Sequence, residues 1–298
     1  MDICLTGSHG LIGTALIPRL RADGHRVLRL VRGDPEGADD VRWDPDAGTI
    51  DAAGLEGIDA VVHLAGAGIG DKKWTPQRKQ LVLESRTRGT GLLARTLASL
   101  DRKPRVLVSA SAIGYYGNRG DDLLTEEEPP GSDFGAQVCV AWEDETKAAA
   151  EAGIRVVRTR TGLVLAKQGG LLRQLLLPFK LGIGGRLGSG KQYMSWIALD
   201  DDLAAIVHLL NDTSISGPVN LTAPNPVRNA EFTESLGHAV HRPTILPTPM
   251  FGLKIVYGGE LVETLLGSLR VSSAKLQATG FEFAHADLHE ALHAILDT

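Results

Sequence analysis

The stretch Ile3-Cys4-Leu5-Thr6-Gly7-Ser8-His9-Gly10-Leu11-Ile12-Gly13 decides the fold. Its first four residues form a short apolar run of strand type, and Ile12, Ala15, Leu16 and Leu20 recur behind it at helical spacing. Strand, glycine turn and helix therefore follow one another directly. A second apolar run at 27–31, after Asp23-Gly24, completes a βαβ unit. Gly7, Gly10 and Gly13 spell GxxGxxG, and in this context the spacing has a physical purpose. It provides a tight turn, a backbone bare enough for a pyrophosphate to reach its N–H groups, and a helix N-terminus facing the anion. A dinucleotide held at Gly7, Ser8, Gly10, Leu11, Ile12 and Gly13 is expected; glycines kept only for packing are the alternative.

Working outward, a third strand is expected at 60–64, running into Ala65-Gly66-Ala67-Gly68, and a fourth at 106–108. Leu92, Leu93, Thr96, Leu97 and Leu100 make a helical stripe between them; a helix across 136–152 and a strand at 154–157 follow. Strands alternating with helices predict an α/β fold, a Rossmann-type doubly wound parallel sheet covered on both faces. Beyond about residue 165 the texture changes to a leucine-rich helix, a glycine-rich stretch at 182–190 and many prolines between 218 and 249. This places a dinucleotide-binding domain at 1–164, with a return segment at about 196–222 that carries the stripe Leu203, Ile206, Val207 and Leu210. A smaller lid is expected from 165–195 and 223–298, closed by an amphipathic helix through Leu288, Ala291, Leu292 and Ile295.

The end of the second strand selects the cofactor. NAD enzymes usually place a carboxylate about 20 residues on, for the ribose 2′-hydroxyl, whereas NADP enzymes place an arginine nearby. Here the strand ends Val31-Arg32-Gly33, with Arg32 nineteen residues after Gly13. A guanidinium suits a 2′-phosphate, so NADP(H) is the expected cofactor. A solvated strand-end arginine, with Asp34 or Glu36 serving the ribose, is the alternative.

Composition excludes several classes. Of the 298 residues 43% are hydrophobic and 22% charged, and the net charge is −5. An acidic chain repels a polyanion on average, so nucleic acid is not an expected partner. The only cysteines, Cys4 and Cys139, match no metal or disulfide pattern, which predicts no metal and a reduced, cytoplasmic protein. No apolar run approaches the ~18 residues of a membrane span, and the strand pattern begins without a charged leader. No membrane partner is expected on these grounds.

These residues resemble the extended short-chain dehydrogenase/reductase superfamily, and within it the atypical NAD(P)-dependent epimerase family, whose members are often labelled sugar epimerases or cell-division inhibitors. The resemblance is carried by Thr6-Gly7 through Gly13, Asp59 through Gly66, Ser109 through Gly117, and Gly188-Ser189-Gly190 through Ser195-Trp196-Ile197. The tail, at Arg270-Val271, Lys275-Leu276 and Gly280 through Phe283, resembles the C-terminal domain of unknown function found in that family. The resemblance implies Leu64, Ala65, Gly66 and Ser109 as further cofactor contacts and Ser111 as the catalytic serine. It also implies Cys139, Gln192, Ser195 and Trp196, with Ser111, at a substrate cleft for an unidentified small molecule. A homodimer is common in such proteins, and the helix near Leu92 is the candidate surface.

The superfamily's proton-transfer pair, tyrosine and lysine in YxxxK, is missing. None of Tyr115, Tyr116, Tyr193 and Tyr257 has lysine four residues later, and the slot at 133–143 contains neither residue. A free tyrosine has a pKa near 10, so the missing lysine leaves a gap of about 4 kcal/mol at neutral pH. Tyr115, with Tyr116 beside it, is the nearest replacement acid, and packing is the competing role. The expected function is an NADP(H)-binding oxidoreductase or epimerase-like protein, with a non-catalytic NADP(H) sensor as the alternative. Lys72, Lys73, Arg78, Lys79 and Arg86 make a basic run that is either an anion contact or a solvated helix face. His63 reads as a satisfied core residue. Asp200, Asp201 and Asp202 read as an N-cap with its dipole complement rather than a metal cluster.

Overall fold

The computed structural model describes residues 1–297. Eight strands form the central sheet: β1 (Asp2–Thr6), β2 (Arg26–Val31), β3 (Asp40–Asp44), β4 (Thr49–Ile50), β5 (Ala60–His63), β6 (Val106–Ala112), β7 (Arg155–Thr161) and β8 (Gly217–Leu221). Their spatial order is β8-β7-β6-β5-β1-β2-β3-β4, parallel throughout except for β4, which runs antiparallel to β3. The chain steps outward from β1 through β2, β3 and β4, then returns to the other side of β1 with β5. That reversal opens a crevice at the carboxyl ends of β1 and β5, where open α/β sheets hold their ligands.

Period-two alternation divides the strands between two cores. Ile3 and Leu5, Ala60 and Val62, and Val106 and Val108 face one side, under α1 (Leu11–Ala22) and the helix Leu199–Asn211. Cys4, Val61 and Leu107 face the other, under α2 (Pro76–Ser99), whose Leu93 and Leu97 are buried there with Leu92 packed alongside. The expected doubly wound parallel sheet is thus present.

The structure differs from the sequence expectations in two places within this layer. β3 and β4 form an unexpected hairpin, in which Val41 and Trp43 are buried between polar neighbours. The expected helix across 136–152 is two helices, α3 (Phe134–Asp144) and α4 (Lys147–Glu151). α3 starts earlier because the Asp133 carboxylate accepts from the Ala136 N–H, and the break follows where the Thr146 hydroxyl donates to the Glu143 carbonyl at 2.7 Å.

A third core joins the helix Gly170–Lys180 to Asn229–Ala239 and Leu288–Leu296 through Leu172, Phe179, Phe232, Leu236 and Leu292. Short ladders tie it to the sheet domain: Leu163–Leu165 beside Trp196–Ala198, and Leu123–Leu124 beside Arg270–Val271. Leu276 and Phe281 leave this layer and pack in the first core, so the C-terminal segment clasps the sheet domain.

Candidate functional site

At the crevice between β1 and β5 the backbone approaches itself closely. Gly7 has φ +71°, and a Cβ on it would lie 2.8 Å from the Leu64 carbonyl carbon; a Cβ on Gly13 would lie 2.3 Å from the Gly7 oxygen. These two glycines are required by packing between strand end, turn and helix. α1 begins at Gly10 with no side-chain cap and no acidic residue in its first turn, so its leading N–H groups are presented to the crevice.

Thr6 and His63 fix the two strand ends. The Thr6 hydroxyl accepts from the Leu64 and Ala65 N–H groups at 3.0 and 3.1 Å, which leaves its hydrogen for His63 Nδ1 at 2.8 Å. The Nε2–H of the ring then donates to Thr90 at 2.8 Å. Burial pushes the imidazole pKa down to about 4, so His63 is the neutral, satisfied core residue that its apolar strand predicts.

A cleft of about 600 Å³ runs from this turn to the ends of β2 and β3. Gly7, Ser8, Gly10, Ala65, Gly66 and Arg32 line it; Leu11, Ile12, Gly13, Leu64 and Ser109 are not among its lining residues. Leu11 instead touches Gly169, and Ile12 packs in the first core. Trp43, Pro45 and Asp46 from the unexpected hairpin form the far end with Arg29, Asp34 and Glu36. Arg32 there donates to Asp46 at 2.7 Å with both side chains exposed, while Arg29 holds the buried Asp40 carboxylate bidentately at 2.7 and 2.9 Å. Uncapped helix N–H groups, a glycine-lined approach and an accessible guanidinium together fit a dinucleotide phosphate chain.

Where YxxxK would sit, a buried polar network takes its place. Arg160 of β7 forks onto Glu143 of α3 at 2.8 and 3.0 Å, and the Ser111 hydroxyl donates to the same carboxylate at 2.7 Å. The third arm of Arg160 reaches the Tyr116 hydroxyl at 3.1 Å, and Tyr116 donates to Asn220 at 2.7 Å. Burial alone would weaken the Arg160 charge, but bonding to Glu143 outweighs it and raises the guanidinium pKa. Tyr116 is fully buried, and that burial pushes its phenol up to about 12 despite Arg160. Its hydroxyl is closed on both sides. Tyr115 is half-buried and packs its ring under the Arg160 guanidinium, 3.4 Å from the ring centre.

The pattern of the NAD dependent epimerase/dehydratase family matches residues 3–221, and a domain of unknown function, DUF1731, matches residues 248–295. This chain belongs to the NAD dependent epimerase/dehydratase family. An epimerase family protein of Mycobacterium bovis is 43% identical over 97% of this chain and 96% of its own length. A chloroplastic epimerase family homologue from Arabidopsis thaliana is 37% identical over 99% of this chain and 87% of its own length. The crystal structure of human epimerase family protein SDR39U1 with NADPH superposes with a TM-score of 0.91 at 31% identity, covering all of both chains.

In this epimerase-family chain several expected site residues have other duties. Ser195 is fully buried; its hydroxyl donates to the Leu269 carbonyl at 2.8 Å and accepts from the Val271 N–H at 2.9 Å, tying its segment to the strand Arg270–Val271. Trp196 is also fully buried in the third core, its ring N–H held by the Asn225 carbonyl. Cys139 is buried beside Gly114 of the 113–116 turn, and burial pushes its thiol up to about 12. Gln192 borders a cleft of about 360 Å³, with Asn118, Asp121 and Ser189.

Three members of the basic run are engaged internally, while Lys72 and Lys73 are exposed. Arg86 donates to the Ala67 carbonyl and stacks on Trp142, Arg78 donates to the Gly68 carbonyl, and Lys79 pairs with Glu260. Asp200, Asp201 and Asp202 lie in the first turn of their helix, as the dipole reading expects, but do not cap it, the N-cap being Ala198. Asp201 accepts from the Ala284 and His285 N–H groups, and Asp202 is buried without a hydrogen bond, its pKa pushed up to about 7 by burial. No His, Cys, Asp and Glu cluster able to hold a metal occurs among the described residues.

Trp43, Asp46, Glu143 and Arg160 escaped sequence reasoning. The triple-arginine strand Arg155-Val156-Val157-Arg158-Thr159-Arg160 carried a usable signal, because a cation inside a central strand needs a buried partner.

Proposed function

We propose that the protein binds NADP(H) in the Gly7–Arg32 cleft and acts as an oxidoreductase or epimerase-like protein on a small molecule. The observation that carries this reading is Arg32 itself, exposed on the cleft wall where an NAD enzyme would usually place a carboxylate. The human relative solved with NADPH supports it. Two free, buried thiols support a reducing, cytoplasmic setting.

In this reading the first turn of α1 holds the pyrophosphate, and Arg32 exchanges Asp46 for the 2′-phosphate. The dinucleotide supplies hydride exchange when bound. Ser111 hydrogen-bonds Glu143, which fixes its hydroxyl hydrogen and leaves oxygen lone pairs for a substrate hydroxyl. Tyr115 is the remaining phenol with a solvent-accessible side chain in the 113–116 turn.

Titration should show NADPH binding at least tenfold tighter than NADH, a difference of about 1.4 kcal/mol. Arg32→Ala should erase that preference while leaving NADH affinity unchanged; equal loss for both nucleotides would sink the 2′-phosphate assignment. Asp46→Asn should tighten NADPH by no more than about fivefold, because an exposed ion pair is worth under about 1 kcal/mol.

A second reading, a non-catalytic NADP(H)-binding sensor, is favoured by the closed Tyr116 hydroxyl and the absence of YxxxK. NADP(H)-dependent turnover on a panel of carbonyl and hydroxyl compounds, lost in Ser111→Ala, selects the enzyme. Partner capture that differs between NADP and NADPH, with no turnover, selects the sensor.

A further inference from the structure

One face of the lid combines exposed apolar side chains with an unusual charge distribution. Leu177 and Leu181, one helical turn apart at the end of Gly170–Lys180, are exposed, and Ile183 follows them. The segment 180–187 is joined to 242–248 by Thr248 donating to the Arg186 and Gly185 carbonyls at 3.0 and 2.8 Å, and by Arg242 donating to the Lys180 carbonyl at 3.0 Å. The second segment adds Ile245, 86% exposed, and leads into the helix Met250–Tyr257, which presents Phe251 at 78% and Ile255 one turn later. Soluble surfaces scatter such residues singly; a contiguous set marks a docking face.

Charge identifies what covers it. Residues 166–199 contain five Lys and Arg and no Asp or Glu, and residues 235–259 contain two and none. The rest of the chain carries the other 24 Lys and Arg against all 36 Asp and Glu, so these two segments are cationic stretches of an acidic protein. Lys254 is paired with Glu263 at 3.0 Å and Lys191 shares a cleft with Asp121, while Lys180 and Arg186 are exposed with no ion pair among the described residues. A second copy placed on this face would oppose cations to cations. An anionic lipid surface instead accepts both components, apolar tips at the acyl boundary and cations at the headgroups.

We propose that this lid face docks on an anionic bilayer surface. The inference is independent of the cofactor. The expectation of no membrane partner rested on the lack of a span, and no helix among the described residues is long and apolar enough to cross a bilayer, but surface docking requires no span.

Flotation of the full chain with vesicles of equal phosphatidylglycerol and phosphatidylcholine tests it, against vesicles of phosphatidylcholine alone. Binding is expected only to the anionic vesicles, and to fall in about 0.5 M salt as charges are screened. Lys180→Glu with Arg186→Glu should weaken it at least about tenfold, and Ile245→Asp with Phe251→Asp should abolish it. Hydrogen exchange on the unaltered protein should show vesicle-dependent protection at 177–186 and 245–255, a readout that does not depend on any variant folding. Absence of flotation, protection elsewhere, or a concentration-dependent dimer that Phe251→Asp dissolves would each overturn the proposal.

Discussion

Gly13→Ala is expected to remove NADPH binding, weakening it at least about a hundredfold, or about 2.7 kcal/mol. The single added carbon would sit 2.3 Å from the Gly7 oxygen and 3.1 Å from the Ser8 Cα, contacts with backbone that no rotamer change relieves. Nor is retreat open to Gly7. Its oxygen accepts from the Gly10 N–H at 3.0 Å, and its Cα faces the Leu64 carbonyl so closely that a Cβ there would lie 2.8 Å away. The turn is wedged between α1 and the end of β5. Alanine at 13 must push α1 away from β1, displacing the helix N-terminus from the phosphates and costing roughly 1–3 kcal/mol of fold stability. Gly259→Ala is the control, since a Cβ there meets nothing within 4 Å. Titration and urea unfolding should separate the two variants; NADPH affinity retained in Gly13→Ala would mean that the pyrophosphate does not lie on this turn.

The same wedge explains why the fold was legible in the sequence. Gly7, Gly10 and Gly13 sit between an apolar strand and an apolar helical stripe, and each constraint is local, so eleven residues state it completely. The alternating cores were legible for the same reason: Ile3, Cys4 and Leu5 need only their own period to be assigned faces. What escaped depends on distant pairing. The β3–β4 hairpin has weak apolar periodicity and is held by Trp43 entering a core built from other strands. Ser195 and Trp196 occupy a stretch that resembles a family cleft, but their hydroxyl and ring N–H are satisfied by residues 269, 271 and 225, which no local pattern announces. The absence of YxxxK was readable; its replacement required knowing that residues 111, 143 and 160 converge.

That replacement carries the other large expected effect. Arg160→Met should destabilise the protein by about 3–5 kcal/mol, because it strips a buried carboxylate of its counter-ion. Arg160 and Glu143 have only 3% and 5% of their side chains exposed, so water does not substitute for the lost partner. Glu143 would keep the Ser111 hydroxyl and, without a hydrogen bond, the Arg158 guanidinium 4.0 Å away, and Tyr116 and the Glu126 carbonyl would each lose a donor. Glu143→Leu should cost a similar amount by orphaning the guanidinium. Combining the two should recover much of the loss, since a buried ion pair exchanged whole for apolar side chains is often near neutral. Urea unfolding of the two singles and the double measures this coupling directly, and strict additivity would show that the pair is not a unit. The double variant also frees the Ser111 hydroxyl from its acceptor without altering the Gly7–Arg32 cleft. NADPH affinity should therefore survive in it, and any NADP(H)-dependent turnover should not, because the hydroxyl would lose its fixed direction. Turnover that persists at full rate would place the chemistry away from Ser111.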